Sequence, residues 1–92
     1  MTMKRIRWHR YMGTLPPGSK SVMRPSRWGN PFKVGEHGTR PEVVQLFREW
    51  LTRDDRAELV EKGREVLTGY DLACSCPLDE PCHGDVWIEV LT

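Results

Sequence analysis

Three cysteines and a histidine fall within one short stretch, CSCPLDEPCHGD at residues 74–85. Cys74, Cys76, Cys82 and His83 supply the four thiolate and imidazole donors that a tetrahedral zinc site takes. Their spacing is less regular than their number. Cys-x-Cys at a strand end points both sulfurs to one side, whereas neighbouring Cys82 and His83 are expected to diverge. Three of the four with His9, His37 or a water is a further arrangement. The same residues also allow thiol chemistry. A cysteine at a helix N-terminus beside an imidazole becomes a nucleophile, which makes Cys82 the candidate, with His83 as base or hydrogen-bond anchor and Asp79 or Asp85 orienting it. In a third reading Cys74 and Cys76 are small buried apolar groups and His83 is a satisfied turn residue. Composition and spacing leave all three open.

A second constellation is RPSRWGNPF at residues 24–32. Arg24 and Arg27 fork onto a phosphate or carboxylate, Ser26 and Asn30 offer directional hydrogen bonds, and Trp28 and Phe32 present flat apolar faces. Gly29 permits close backbone approach, while Pro25 and Pro31 fix the path of the chain. This is the equipment of a nucleotide pocket. The charge pattern agrees, because residues 1–35 carry eight bases and no acid, and from Glu36 onward thirteen acids face six bases. A basic third followed by an acidic remainder indicates an anionic partner, unless the two parts neutralise each other in the fold. The leading expectation is a domain that binds a nucleotide or nucleic acid, with Trp28 stacked on a base. Two alternatives stand beside it: a small thiol-dependent enzyme acting on a nucleotide-like substrate, and a module that binds a host or partner protein through an exposed tryptophan patch.

The elements that must position these residues are legible from periodicity. KRIRWHRYM alternates, with Ile6, Trp8 and Met12 to one side, as a half-buried strand does. GTLPPGSK is turn chemistry, and SKSVM reads as a second strand leading into the tryptophan loop. TRPEVVQLFREWL has Thr39 and Glu42 in capping-box spacing, and its apolar residues recur at helical spacing. RDDRAELVEKGREVL predicts a second helix begun by Asp54 or Asp55, with Gly63 kinking or ending it. YDLACS predicts a buried strand that delivers Cys74 and Cys76 at its end. Residues 85–91 fit either a strand or a helix capped by Asp85, and the helix is preferred because it places Cys82 and His83 at a positive N-terminus. The order β-β-α-α-β-α predicts a small α/β sandwich of two or three layers, about three strands with three helices, in a single domain spanning residues 1–92. Strands that deliver both motifs to one sheet edge would make them share a pocket.

Ninety-two residues bury one small core, so a metal, ligand or partner would contribute noticeably to stability. No apolar run approaches the roughly 20 residues of a membrane span, and the basic opening is not followed by an apolar segment. Three cysteines, two of them nearly adjacent, argue against a disulfide framework. The expectation is a cytoplasmic protein.

RPSRWGNPF, the helix GTRPEVVQLFREWL at 38–51 and LACSCPLDEPCHGDV at 72–86 together resemble the family called domain of unknown function 4326. The resemblance covers the chain from about residue 16. It implies actinobacterial or bacteriophage kinship, hence the host cytoplasm for a phage-encoded member, and no established activity. In that family the position of Ser75 is often aromatic.

Overall fold

The alternation at the start of the chain becomes a short strand, β1 (Arg5–Arg7), in the computed structural model, which describes residues 3–24 and 26–92. The reading of Pro25 as a fixed point of the loop lies outside the described residues. Ile6 and Trp8 are half-buried as expected. Met12 is not: it is 57% exposed, because the chain leaves the sheet after Trp8 and turns through a single 3-10 turn at Arg10–Met12.

The second strand, β2 (Ser19–Ser21), and the third, β3 (Asp71–Cys74), complete one sheet in the order β1-β3-β2. Both outer strands run parallel to β3, with Ile6 opposite Ala73 and Lys20 opposite Leu72. A parallel partner needs a long crossover, and the segment between β2 and β3 supplies one with two helices. Paired on both sides, β3 loses water entirely at Leu72 and Ala73. That is why its sequence, LAC, reads as a continuous apolar run rather than an alternation.

Helix α1 (Arg40–Leu51) starts where the capping box predicts, with the Thr39 side chain and the Glu42 carboxylate each accepting a backbone N–H of the other's residue. Val43, Val44, Phe47 and Leu51 form its buried stripe. Helix α2 (Ala57–Leu67) is preceded by a 3-10 turn at Asp54–Arg56, so the first two acids lie before the helix proper. Gly63 does not end α2, which runs on to Leu67. A Cβ at this position would lie 2.5 Å from Trp87 Cζ3, so glycine is what lets the helix approach the indole.

Helix α3 (His83–Leu91) resolves the ambiguity of residues 85–91. Its N-cap is Cys82 and not Asp85, correcting the expected cap. Asp85, at the third helical position, accepts the Cys82 backbone N–H at 3.2 Å and closes a capping box from inside the helix. Helix α3 lies against β1 and β3, and α1 and α2 pack on it. At the centre, Trp87 is fully buried, meets the edge of Trp28 at 5.4 Å and donates its indole N–H to the Trp28 carbonyl at 2.9 Å. Burying an indole of roughly 200 Å² contributes about 5 kcal/mol at the usual area coefficient. Among the described residues no helix is long and apolar enough to cross a membrane.

Candidate metal and ligand site

Parallel pairing puts the C-terminal ends of all three strands at one edge of the sheet, and the clustered residues gather there. Cys74 ends β3, and Val22 follows β2. Cys82 is extended (φ −148°, ψ 150°), whereas His83 is the first helical residue. This change of backbone state between neighbours swings the two side chains together, so the expected divergence does not occur. The Cys82 sulfur lies 3.2 Å from that of Cys74 and 3.7 Å from His83 Nδ1. Cys76 has its sulfur 3.5 Å from Cys74, as the Cys-x-Cys spacing predicted.

His83 is held from its far side. Its Nε2 bonds the Val22 carbonyl, and a carbonyl only accepts, so Nε2 carries the proton and Nδ1 turns a lone pair toward the sulfurs. Burial keeps the imidazole below its ordinary pKa and therefore neutral, against the opposing pull of the Val22 carbonyl. The donor atoms of Cys74, Cys82 and His83 lie within 4.8 Å of one another, a set that leaves out Cys76. His9 and His37 do not join it; His37 Nδ1 instead accepts the Lys33 N–H at 2.9 Å. A histidine that donates one ring nitrogen to a carbonyl and offers the other to two sulfurs has the outer-sphere support typical of metal ligands.

The thiols differ in state. The Cys82 thiol donates to Cys74, and the Cys74 thiol donates to Cys76. Receiving from Cys74 and Cys82, with the Arg40 guanidinium adding to it, Cys76 is held far below the usual thiol pKa. Donation to its neighbours, followed by burial, pushes Cys82 up. Cys82 is also 1% exposed, and its sulfur accepts the Gly84 N–H at 3.4 Å as the cap of α3. Cys82, expected as the nucleophile, is thus placed as the buried cap of α3. The half-buried Cys76 accepts from Arg40 Nη1 at 3.3 Å. Nor do carboxylates orient His83: Asp85 is engaged by Arg5 and the Cys82 N–H, and Val22 does the orienting.

Arg5 is the residue that sequence reasoning passed over. The strand alternation sets it on the side opposite Ile6 and Trp8, yet its side chain is only 6% exposed. Its guanidinium donates to the carbonyls of Cys76, Pro77, Leu78 and Glu80 and to Asp85 at 3.0 Å. One side chain thus holds the whole turn between Cys76 and Cys82. Its place directly before an alternating apolar residue gave no local sign of this.

A cavity of about 180 Å³ opens on the cluster. Arg24, Asn30 and Phe32 line it from the tryptophan loop, Arg40 from α1, and the cysteines and His83 from the sheet edge. The two motifs do share one pocket. Ser75, exposed, is part of its wall. The other loop residues are placed differently from the expected ligand-binding set. Trp28 is 8% exposed and faces Trp87 in the core, which corrects its role as a base-stacking platform. Arg27 lies over the outer face of Trp28, 5.6 Å from its ring, and Ser26 closes the turn on the Met23 carbonyl. Neither lines the cavity. At Gly29 a Cβ would come within 2.8 Å of Arg24 Cγ and 3.0 Å of the Arg24 backbone, so the close approach is to the loop itself. Asn30 lines the cavity but spends its amide on the Val43 carbonyl and its oxygen on the Phe32 N–H. Of the four tryptophans, Trp28 and Trp87 are buried and Trp8 and Trp50 half-buried.

These features define a class: a small parallel α/β domain with a Cys/His cluster and a pocket at the C-terminal edge of its sheet. The chain belongs to the family described as "Domain of unknown function (DUF4326)", whose model matches residues 6–92. No curated protein and no solved structure matches it.

Proposed function

We propose that the chain is a metal-supported binding domain for a small phosphate-bearing ligand of the nucleotide kind, with zinc as the metal. The observation that carries this reading is one wall: Cys74, Cys82 and His83 bring three donor atoms within 4.8 Å on the same cavity that Arg24 and Arg40 line. Two thiolates and an imidazole suit zinc, and guanidiniums suit phosphate. Among the described residues lining the cavity there is no carboxylate, which disfavours a cationic ligand. The test is metal analysis of untagged protein purified without chelator, with thiol titration before and after denaturation. About one zinc per chain, released with newly reactive thiols, supports the reading. A metal-free protein whose thiols react equally in both states removes it. For the ligand, Arg24→Ala and Arg40→Ala should each weaken nucleotide binding steeply, and Arg27→Ala should not.

A second reading has an observation of its own. Cys76 is half-buried, lines the cavity and is held by Arg40. A thiol-dependent enzyme would use this residue as nucleophile. Iodoacetamide should then modify Cys76 well before Cys74 or Cys82; labelling no faster than that of a free cysteine peptide discards the idea.

A further inference from the structure

The three sulfurs do not stand in equivalent places, and the difference bears on whether the metal centre is closed or open. This inference rests on the metal reading above and refines it. With bonds of about 2.3 Å to sulfur, two thiolates on a tetrahedral centre stand about 3.8 Å apart. Cys74 and Cys82, at 3.2 Å, need to separate by only a fraction of an ångström, and Nδ1 of His83 is already 3.7 Å from Cys82. The Val22 carbonyl fixes the imidazole in the donor orientation. Cys76 lies outside the mutual donor set and points to the guanidinium of Arg40, which is itself held by Glu80 at 2.8 Å. A metal ligated by four protein side chains is closed and structural, whereas three protein ligands leave a position for an outside group.

We propose that Cys74, Cys82 and His83 Nδ1 are the complete protein ligand set, that the remaining position faces the cavity, and that it takes an oxygen of a phosphate group whose other oxygens Arg40 and Arg24 receive. The two guanidiniums lie on the same cavity as the three donors, and a cavity of about 180 Å³ has room for such a group. Cys76 accepts from Arg40 Nη1 at 3.3 Å and so holds that guanidinium at the rim. Phosphate and the Cys76 sulfur are alternative partners for one guanidinium, so ligand entry is an exchange at Arg40.

The test uses full-length protein, stripped with chelator and reloaded with cobalt(II), whose thiolate charge-transfer absorption reports the number of sulfur ligands and whose d–d bands report the coordination shell. Cys76→Ser should bind cobalt as the parent does with the same charge-transfer intensity. Cys74→Ser and Cys82→Ser should each lose affinity by about tenfold or more, with the intensity halved. Inorganic phosphate should shift the d–d bands of the parent and of Cys76→Ser, and Arg40→Met should abolish that shift while cobalt affinity stays unchanged. AMP acting at lower concentration than inorganic phosphate identifies a nucleotide source of the phosphate; equal action identifies free phosphate. Loss of a third of the charge-transfer intensity in Cys76→Ser overturns the three-ligand assignment. Bands unmoved by either phosphate compound overturn the open position. Failure to take up cobalt at all is a different result, since it removes the metal reading itself.

Discussion

Arg5 carries more of the site than its position in a three-residue strand suggests. Four carbonyls of the turn between Cys76 and Cys82 depend on it, and so does Asp85, whose carboxylate caps α3. Hydrogen bonds to charged groups contribute about 1.5–3 kcal/mol each at best, and the half-exposed Asp85 still has water available. Arg5→Met is therefore expected to cost about 2 kcal/mol in urea unfolding and to weaken cobalt or zinc binding by about tenfold, as loss of outer-sphere support does. Unchanged metal affinity in a folded Arg5→Met protein would show that the turn holds its shape without this anchor. Nothing near Arg5 in the sequence announces this role, because every acceptor it uses lies more than 70 positions away along the chain.

At the level of elements, capping and close packing set the predictions. Thr39 and Glu42 were readable as a capping box because the motif is local, and the structure forms it. The Thr39 backbone and hydroxyl hold the Glu42 carboxyl below its usual range. A carboxyl depressed in the folded state binds its proton more readily when unfolded, so it stabilises the fold above its unfolded pKa and loses that contribution as pH falls through the folded value. Glu42→Gln should accordingly flatten the acid side of the stability profile, seen in urea midpoints from neutral pH downward; an identical profile removes the carboxylate from the cap. Gly63 is the opposite case. As an isolated helical position, alanine would gain about 1 kcal/mol there. The Trp87 ring 2.5 Å from the added carbon makes overpacking, at about 1–3 kcal/mol, the larger effect. Gly63→Ala is expected to lower stability, and a raised urea midpoint would mean that α2 can move away from the indole without cost.

For the whole molecule, a 92-residue chain with one buried cluster has little stability to spare, and a ligand that binds only the folded state adds to it. Zinc at about a hundred times its dissociation constant contributes about 2.7 kcal/mol, which in a domain of this size raises Tm on the order of 10 °C. Chelation should reverse the rise, and Cys82→Ser should not show it; a Tm indifferent to zinc would mean that the cluster is packing alone. The order of elements, the start of α1, the burial of β3 and the two motifs were legible along the chain. Each rests on neighbours within a few positions, through capping, periodicity or composition. Tertiary structure decided the rest. Parallel pairing brought Val22, Cys74 and Cys82 with His83 to one sheet edge and Arg40 to its rim. Core packing turned Trp28 inward and buried Cys82. Those outcomes depend on which distant groups compete for the same space and the same hydrogen bonds, and spacing along the chain carries no record of that competition.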